Sequence, residues 1–305
     1  LFSGLDSVCG RTATMFAGSV LLALAGSIGG RFGDARLTWA AYDTGLLVVF
    51  APLYLYTRRM LPYPVADHAA DSAGRSPALP FWQMLRGYLA LPALIPGVTY
   101  LFFMRSGETF LAKMGMAFLM DARDAGGYGL SITEVGVFTG IMTAFAITGG
   151  AISGLLLQRY GLRRVVWPFS IAAVGPNLIY VYLAMTNQAG RALVTLDLSR
   201  FGGGLWHLDI LLLALLGLEN FGFGLGFTVM NYYMFRMAAG SRYPASYVAL
   251  NASVIYASYM LFGTISGICQ EWLGYPGLFA LSIVVSLPAF IAIPSLNYQL
   301  DQRNS

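Results

Sequence analysis

Eight long apolar segments recur along the chain and limit what it can fold into. Each holds about 20 or more mainly apolar residues, the length that an α-helix needs to cross the hydrocarbon core of a bilayer. They are residues 10–30, 37–57, 92–120, 132–158, 165–186, 208–236, 244–268 and 276–296. Charged residues make up only 10% of the 305 residues, too few to cover the surface of a soluble domain. The sequence therefore predicts an all-α integral membrane protein.

The basic residues of the loops predict how these segments are oriented. Seventeen of the eighteen basic residues are arginines, and Lys113 is the single lysine. Eleven of the eighteen fall on one side of the predicted segments and five on the other. Because cytoplasmic loops carry the excess of cations, both ends of the chain and the hydrophilic stretch 58–91 are expected in the cytoplasm. That stretch ends in a short amphipathic helix, which we expect to lie along the membrane surface.

The scattered arrangement of reactive residues argues against several functions. The arginines form no basic runs, so no nucleic-acid surface is expected. The two cysteines lie far apart in sequence, as do the two histidines; they are Cys9, Cys269, His68 and His207. Isolated residues of these types predict no disulfide framework, no metal site and no catalytic triad.

The most informative predicted span, 92–120, contains three charged residues. Arg105 and Glu108 are three positions apart, about 60° around a helix, and can pair near the bilayer midplane, with Lys113 further toward the outer surface. Ionisable residues at that depth are costly and usually face a cavity or a partner. One interpretation is an ion pair that only holds two helices together. The other is a cavity in which Arg105 binds an anionic substrate and Glu108 takes up a proton.

A second candidate site lies in the span 208–236. Glu219 and Asn220 precede a run in which glycines alternate with apolar and aromatic residues up to Phe227. A carboxyl group at that depth without a nearby cation is expected to be protonated or to face the same cavity as Arg105. The alternating run is expected to weaken the helix, and either marks a bend or a sugar-stacking wall, or serves plain packing.

Glycines four residues apart predict close helix packing in lipid. The pairs are Gly136 with Gly140, Gly150 with Gly154, and Gly222 with Gly226. Close packing alone explains this spacing. The alternative is that these helix faces slide against one another during a transport cycle.

The loop from Gly154 to Arg164 resembles the signature of the major facilitator superfamily. That signature lies between helices 2 and 3 and between helices 8 and 9, and combines two glycines with an acidic and several basic residues. The matching residues are Gly154, Arg159, Gly161 and Arg163. Gln158 stands in place of the acid and Leu162 in place of a basic residue. The resemblance implies a gating loop whose charge latch is weaker than usual.

A closer resemblance covers most of residues 95–296. It is to the AmpG-type permeases, which import anhydromuropeptides recovered from the cell wall, and to related acetyl-CoA-transporter-like proteins. The motifs that carry it are Arg105–Ser–Gly–Glu108, Lys113–Met114, Gly126–Gly–Tyr–Gly–Leu–Ser131, Trp167–Pro168, Tyr180–Val–Tyr–Leu–Ala184, Glu219 through Phe227, and Gln270 through Tyr275.

This resemblance implies a major facilitator fold in which the eight segments are helices 5–12 of twelve. Residues 1–57 would supply the last two helices of the N-terminal bundle, and residues 58–91 a cytoplasmic linker with an amphipathic helix. Residues 92–305 would form the C-terminal six-helix bundle, two inverted repeats with a substrate site near the midplane. About 100 residues carrying helices 1–4 would precede the chain.

The function implied is proton-coupled import across the bacterial inner membrane. A monomer embedded in the lipid bilayer, without a cofactor, would carry protons with a small-molecule substrate, an anhydromuropeptide or a similar anionic sugar–peptide. Arg105, with Lys113 and Asn220, is expected to bind the substrate, while Glu108 or Glu219 carries the proton. Within transporters, the alternatives are another anionic metabolite such as an acyl-CoA, or export.

An enzyme acting on lipid-linked sugars is the alternative from a different class. Such an enzyme would need a pair of carboxylates for a divalent metal ion. The acidic pair in the sequence, Asp121 and Asp124, falls in a predicted outer loop and is expected to be a solvated turn. We therefore predict that the protein is not an enzyme.

Overall fold

A computed structural model of the chain describes residues 35–60, 81–130, 132–186, 193–197 and 205–296. These residues are almost entirely helical and divide into two compact units at the boundary between Leu89 and Ala90. The predicted segment 10–30 and most of the predicted linker lie outside the described residues.

The smaller unit contains helices α1 (Ala35–Met60) and α2 (Phe81–Leu89). Helix α1 covers the predicted segment 37–57 and ends with two arginines, which interact favourably with the carbonyl end of a helix. Helix α2 buries Tyr88 and exposes three large apolar side chains, those of Phe81, Trp82 and Leu89. Exposed apolar side chains on a short helix are typical of a helix at a membrane surface.

The larger unit consists of six further helices and one β-hairpin within the described residues. The helices are α3 (Leu94–Met120), α4 (Ile132–Tyr160), α5 (Leu162–Val174), α6 (Asn177–Thr186), α7 (Ile210–Ala238) and α8 (Pro244–Ala292). Strands β1 (Leu193–Asp197) and β2 (Leu205–Asp209) lie between α6 and α7, and short 3-10 helices form at Arg123–Ala125 and Ile293–Ser295.

Four helical stretches of the described chain are long and apolar enough to cross a membrane. They are Phe138–Tyr160, Leu162–Thr186, Ile210–Ala238 and Pro244–Ser295. Helices α2 and α3 taken together pass the same test and raise the number to five. The predicted all-α membrane architecture is confirmed.

Breaks inside two of these stretches follow from glycine and proline. A straight helix as long as α8 would extend about 75 Å, more than twice the hydrocarbon thickness of about 30 Å. Gly274, with φ 65° and ψ 177°, interrupts it, in a conformation that glycine adopts without steric cost. The break separates the two predicted spans 244–268 and 276–296. In the predicted span 165–186, Pro176 separates α5 from α6. The helix breaks there because proline lacks the N–H that a continuous helix requires.

Glycines let α7 pass close to α4 on one side and to α5 on the other. A Cβ atom on Gly224 would lie 2.2 Å from the carbonyl oxygen of Ala146 in α4, and one on Gly222 would lie 1.9 Å from that of Ala172 in α5. Helix α7 is nevertheless continuous. The glycines of this run therefore serve close packing on both sides of α7, one of the roles that the sequence left open.

Helix α3 packs against both halves of α8. The Ser258 hydroxyl, before the break, donates to the Phe102 carbonyl at 2.7 Å. After the break, a Cβ atom on Gly107 would lie 2.0 Å from the Ser286 hydroxyl oxygen and 2.3 Å from the Ser282 carbonyl oxygen. The charged helix is thus fixed along its length.

The C-terminal end of α3 lies in a cluster of aromatic rings. The ring of Phe118 lies 5.0 to 6.2 Å, between centroids, from those of Tyr128, Tyr180, Tyr275 and Phe279. The Tyr275 hydroxyl donates to the Asp121 carboxylate at 2.5 Å. Asp121 is half-exposed, and its hydrogen bond with Tyr275 is a contact that the sequence does not predict. Asp124 is exposed and accepts a hydrogen bond from the adjacent Ala125 N–H at 3.1 Å.

The hairpin before α7 has no counterpart among the sequence-based expectations. Strands β1 and β2 are antiparallel, with Thr195 opposite His207. Asp209 ends β2 and caps α7, because its carboxylate accepts a hydrogen bond from the Leu212 N–H at 3.0 Å. The transmembrane helix therefore begins at Ile210.

Candidate functional site

The charged residues at the middle of α3 form an ion pair. The Arg105 guanidinium donates to the Glu108 carboxylate, as their spacing on one helix predicts. Their side chains are 17% and 21% exposed, so both remain partly accessible. Each charge compensates the other within an apolar helix, which lowers the cost of placing them there.

Aromatic rings surround the cationic end of this pair. The Arg105 guanidinium carbon lies 4.9 Å from the ring centre of Tyr259 and 5.7 Å from that of Phe227. The Lys113 ammonium lies 4.7 Å from the ring centre of the same Tyr259. These distances fall within the range of cation–π attraction. A single ring from α8 therefore contacts both cations of α3.

A narrow pocket with a cavity volume of about 20 Å³, room for about one water molecule, lies beside the ion pair. Helices α3, α5, α6 and α7 supply its lining, which is Met104, Arg105, Glu108, Ala173, Val174, Asn177, Phe223, Phe227 and Met230. The pocket combines apolar and aromatic walls with a few polar groups, the usual composition of a small-molecule site. Arg105 supplies the positive charge that would attract an anionic group, and the phenylalanines supply the apolar side.

Glu219 and Asn220 lie near this pocket without belonging to its lining. The Glu219 carboxylate is buried at 5% exposure and accepts a hydrogen bond from the Asn220 amide at 2.7 Å. The same amide nitrogen donates to the Leu216 carbonyl at 3.1 Å. Glu219 is close enough to Glu108 for their charges to interact. The roles of these two residues as proton carriers stay predictions.

The predicted gating loop is a tight turn between α4 and α5. Gly161 adopts φ 73° and ψ 163°, and its N–H donates to the Leu157 carbonyl at 3.0 Å. The side chains of Gln158, Arg159 and Arg163 are exposed, and Gly154 is half-buried in α4. Within the described residues, the structure shows no ion pair for either arginine. The charge latch stays a prediction.

The sequence analysis missed two residues that contact or neighbour the ion pair, Asn177 in the pocket wall and Tyr259 against the two cations. Asn177 carries a weak signal, since it is a polar residue in an apolar span directly after Gly175 and Pro176. Tyr259 carries none, because it is one of eighteen tyrosines, and only helix packing places it against Arg105.

The fold and the site together define a class of protein. Apolar helices that pack through glycines, one of them carrying an ion pair beside a pocket, form an all-α integral membrane protein. No protein-family model matches the chain.

Comparison with known proteins identifies relatives within this class. The chain is 27% identical over 217 residues to "Putative transporter AmpG 2" of Rickettsia bellii (strain RML369-C), covering 70% of the chain and 46% of the relative. A protein of the same name from Rickettsia prowazekii (strain Madrid E) is 25% identical over 249 residues, covering 81% of the chain and 51% of the relative. The chain spans about half the length of the curated relatives it matches. The predicted resemblance to AmpG-type transporters is confirmed, and the relatives' name agrees with a transporter rather than an enzyme.

Proposed function

We propose that this protein is a proton-coupled secondary transporter of the bacterial inner membrane that imports anhydromuropeptide-like sugar–peptides. The observation that carries the proposal is the Arg105–Glu108 ion pair, which lines a pocket inside an apolar helix bundle. Both termini of this chain would be cytoplasmic and the protein would act as a monomer. The similarity to AmpG-type transporters supports this class of cargo.

The ion pair suggests how proton and substrate binding are linked. An arginine cannot lose its charge in a protein, so Arg105 needs a negative partner at this depth. When a substrate carboxylate takes that place, Glu108 loses its partner, and an unpaired charge in an apolar helix is costly. Binding of a proton removes that cost. Substrate and proton therefore bind together and favour the inward-facing state.

The neighbouring residues receive supporting roles. Lys113 contacts the Tyr259 ring from the exposed side of α3 and would attract a second anionic group of the substrate. Glu219 would hold the coupling proton alternately with Glu108. Asn220 would orient the Glu219 carboxyl group or bind the substrate. The loop around Gly161 would help to hold one state closed.

Uptake by the full-length protein in proteoliposomes tests the proposal. With an inward proton gradient, labelled anhydromuropeptide should accumulate, and an uncoupler should abolish the accumulation. Absence of uptake by folded, correctly oriented protein would reject the muropeptide as cargo. Competition by muropeptide, acyl-CoA esters and simple sugars distinguishes the cargo from another anionic metabolite. Accumulation inside inverted vesicles, whose cytoplasmic face is outside, would indicate export.

Substitution of Glu108 by glutamine tests the coupling. The variant Glu108→Gln should lose uphill accumulation but keep exchange of substrate across the membrane, because the neutral amide mimics the protonated carboxyl group. Glu271→Gln serves as the matched control, since Glu271 is exposed on α8 and remote from the pocket lining. Retained accumulation in both Glu108→Gln and Glu219→Gln would refute the assignment of these residues as proton carriers.

A further inference from the structure

Asn177 is a buried polar residue in the wall of the candidate pocket. It begins α6 directly after the Pro176 break and is 2% exposed. It shares the pocket lining with Arg105 and with the phenylalanines of α7. A polar side chain buried in an apolar bundle needs hydrogen-bond partners.

The partner that the protein provides is a weak one. The Asn177 amide nitrogen lies 3.4 Å from the Ser282 hydroxyl oxygen, well beyond the usual distance of about 2.9 Å. Ser282 donates its own proton to the Phe279 carbonyl at 2.7 Å, so it accepts from Asn177. A carboxamide has a second N–H and a carbonyl oxygen with two lone pairs. By contrast, Asn251 makes an ordinary 3.0 Å bond to the Met234 carbonyl and does not line the pocket.

We infer that Asn177 is a specificity-determining residue that recognises an amide group of the substrate beside the carboxylate bound by Arg105. A carboxamide presents a donor and an acceptor side by side, the arrangement that an acetamido or peptide group complements. The rings of Phe223 and Phe227, 5.4 Å apart between centroids, form the apolar wall beside these polar groups. The feature that the site selects is thus an amide next to a carboxylate. This inference rests on the proposed function and adds the group that the site selects.

Equilibrium binding to the full-length protein in detergent tests this inference separately from transport. The two probes are N-acetylmuramic acid and its analogue in which a hydroxyl group replaces the acetamido group. The wild-type protein should bind the acetamido probe about tenfold more tightly or better, because the analogue leaves buried polar groups unpaired. Asn177→Ala should reduce this preference to about threefold or less.

Two further variants make the outcome decisive. Asn177→Asp preserves the shape of the side chain but loses its N–H donors, so it should also lose the preference for the acetamido probe. This variant carries the test if the alanine variant does not fold. Asn251→Ala removes a buried asparagine outside the pocket and should keep the preference. An unchanged preference in Asn177→Asp, or no binding of either probe to the wild-type protein, would overturn the inference. Binding with the expected preference but without proton-driven uptake would instead reject the proposed function alone.

Discussion

Replacement of Gly222 by alanine probes the contact between α5 and α7. The added Cβ atom would lie 1.9 Å from the Ala172 carbonyl oxygen and 3.2 Å from Cγ of Pro176. Real Cβ atoms stay at least 3.0 Å from such neighbours. Since the nearer neighbour is a backbone atom of α5, which cannot turn aside as a flexible side chain can, α5 and α7 must separate by about 1 Å. A gap of that size forfeits roughly a quarter to a half of the dispersion energy of the contacts involved.

We expect Gly222→Ala to lower the free energy of unfolding by about 2–3 kcal/mol, the upper part of the range for overpacked cores. Gly140→Ala is the matched control, because no atom lies within 4 Å of a Cβ built at that helical position. Alanine there should stabilise the helix by up to about 1 kcal/mol.

Thermal unfolding of both variants in the same detergent, followed by tryptophan fluorescence, measures the difference. At about 2–4 °C per kcal/mol for a domain of this size, Gly222→Ala should melt about 5–10 °C below the wild-type protein. Gly140→Ala should melt at or slightly above it. A Gly222→Ala variant as stable as the wild-type protein would refute the close approach of α5 and α7.

Three further predictions concern α3 and α8. Tyr259→Leu should raise the half-saturating substrate concentration for uptake about tenfold, because Arg105 and Lys113 lose their ring contact. Tyr259→Phe keeps the ring and should leave this concentration unchanged; equal affinities in both variants would contradict a role of the ring in holding the two cations. Asp121→Ala and Tyr275→Phe should each lower the free energy of unfolding. The double variant should lose about 1.5–3 kcal/mol less than the sum of the two single losses, as for a hydrogen bond to a charged group; additive losses would argue against the bond. Gly274→Ala should destabilise the protein by about 1–2 kcal/mol through its positive φ, unlike Gly267→Ala, whose nearest neighbour is 3.8 Å away; equal melting temperatures would exclude strain at the break.

Local features of the candidate site were predictable because they depend on neighbours along one helix. The pairing of Arg105 with Glu108 follows from a spacing of three residues. The structure has a tight turn at Gly161, with φ 73°, inside the loop that the sequence predicts between two apolar stretches. In both cases the interacting groups are fewer than five residues apart, so the geometry of one helix or turn suffices.

Contacts between helices were not predictable in the same way. The sequence did not show that Asp121 meets Tyr275, which is 154 residues away along the chain. It also did not show which helices the glycine run of α7 packs against. No periodicity in a single segment shows which side chain a distant helix will bring to it.

The sequence by itself determined that this chain is an all-α membrane protein. Apolar segments of this length, with so few charges around them, are stable in a lipid bilayer and not in water. For the described residues it also predicted where most spans begin and end, within a few residues, and which helix carries the Arg105–Glu108 pair. Only the tertiary structure decided that Arg105 meets Tyr259 and Phe227, and that Asn177 completes the pocket. The reason is physical: insertion of each span depends on its own transfer to lipid, whereas a binding pocket depends on the packing of several helices.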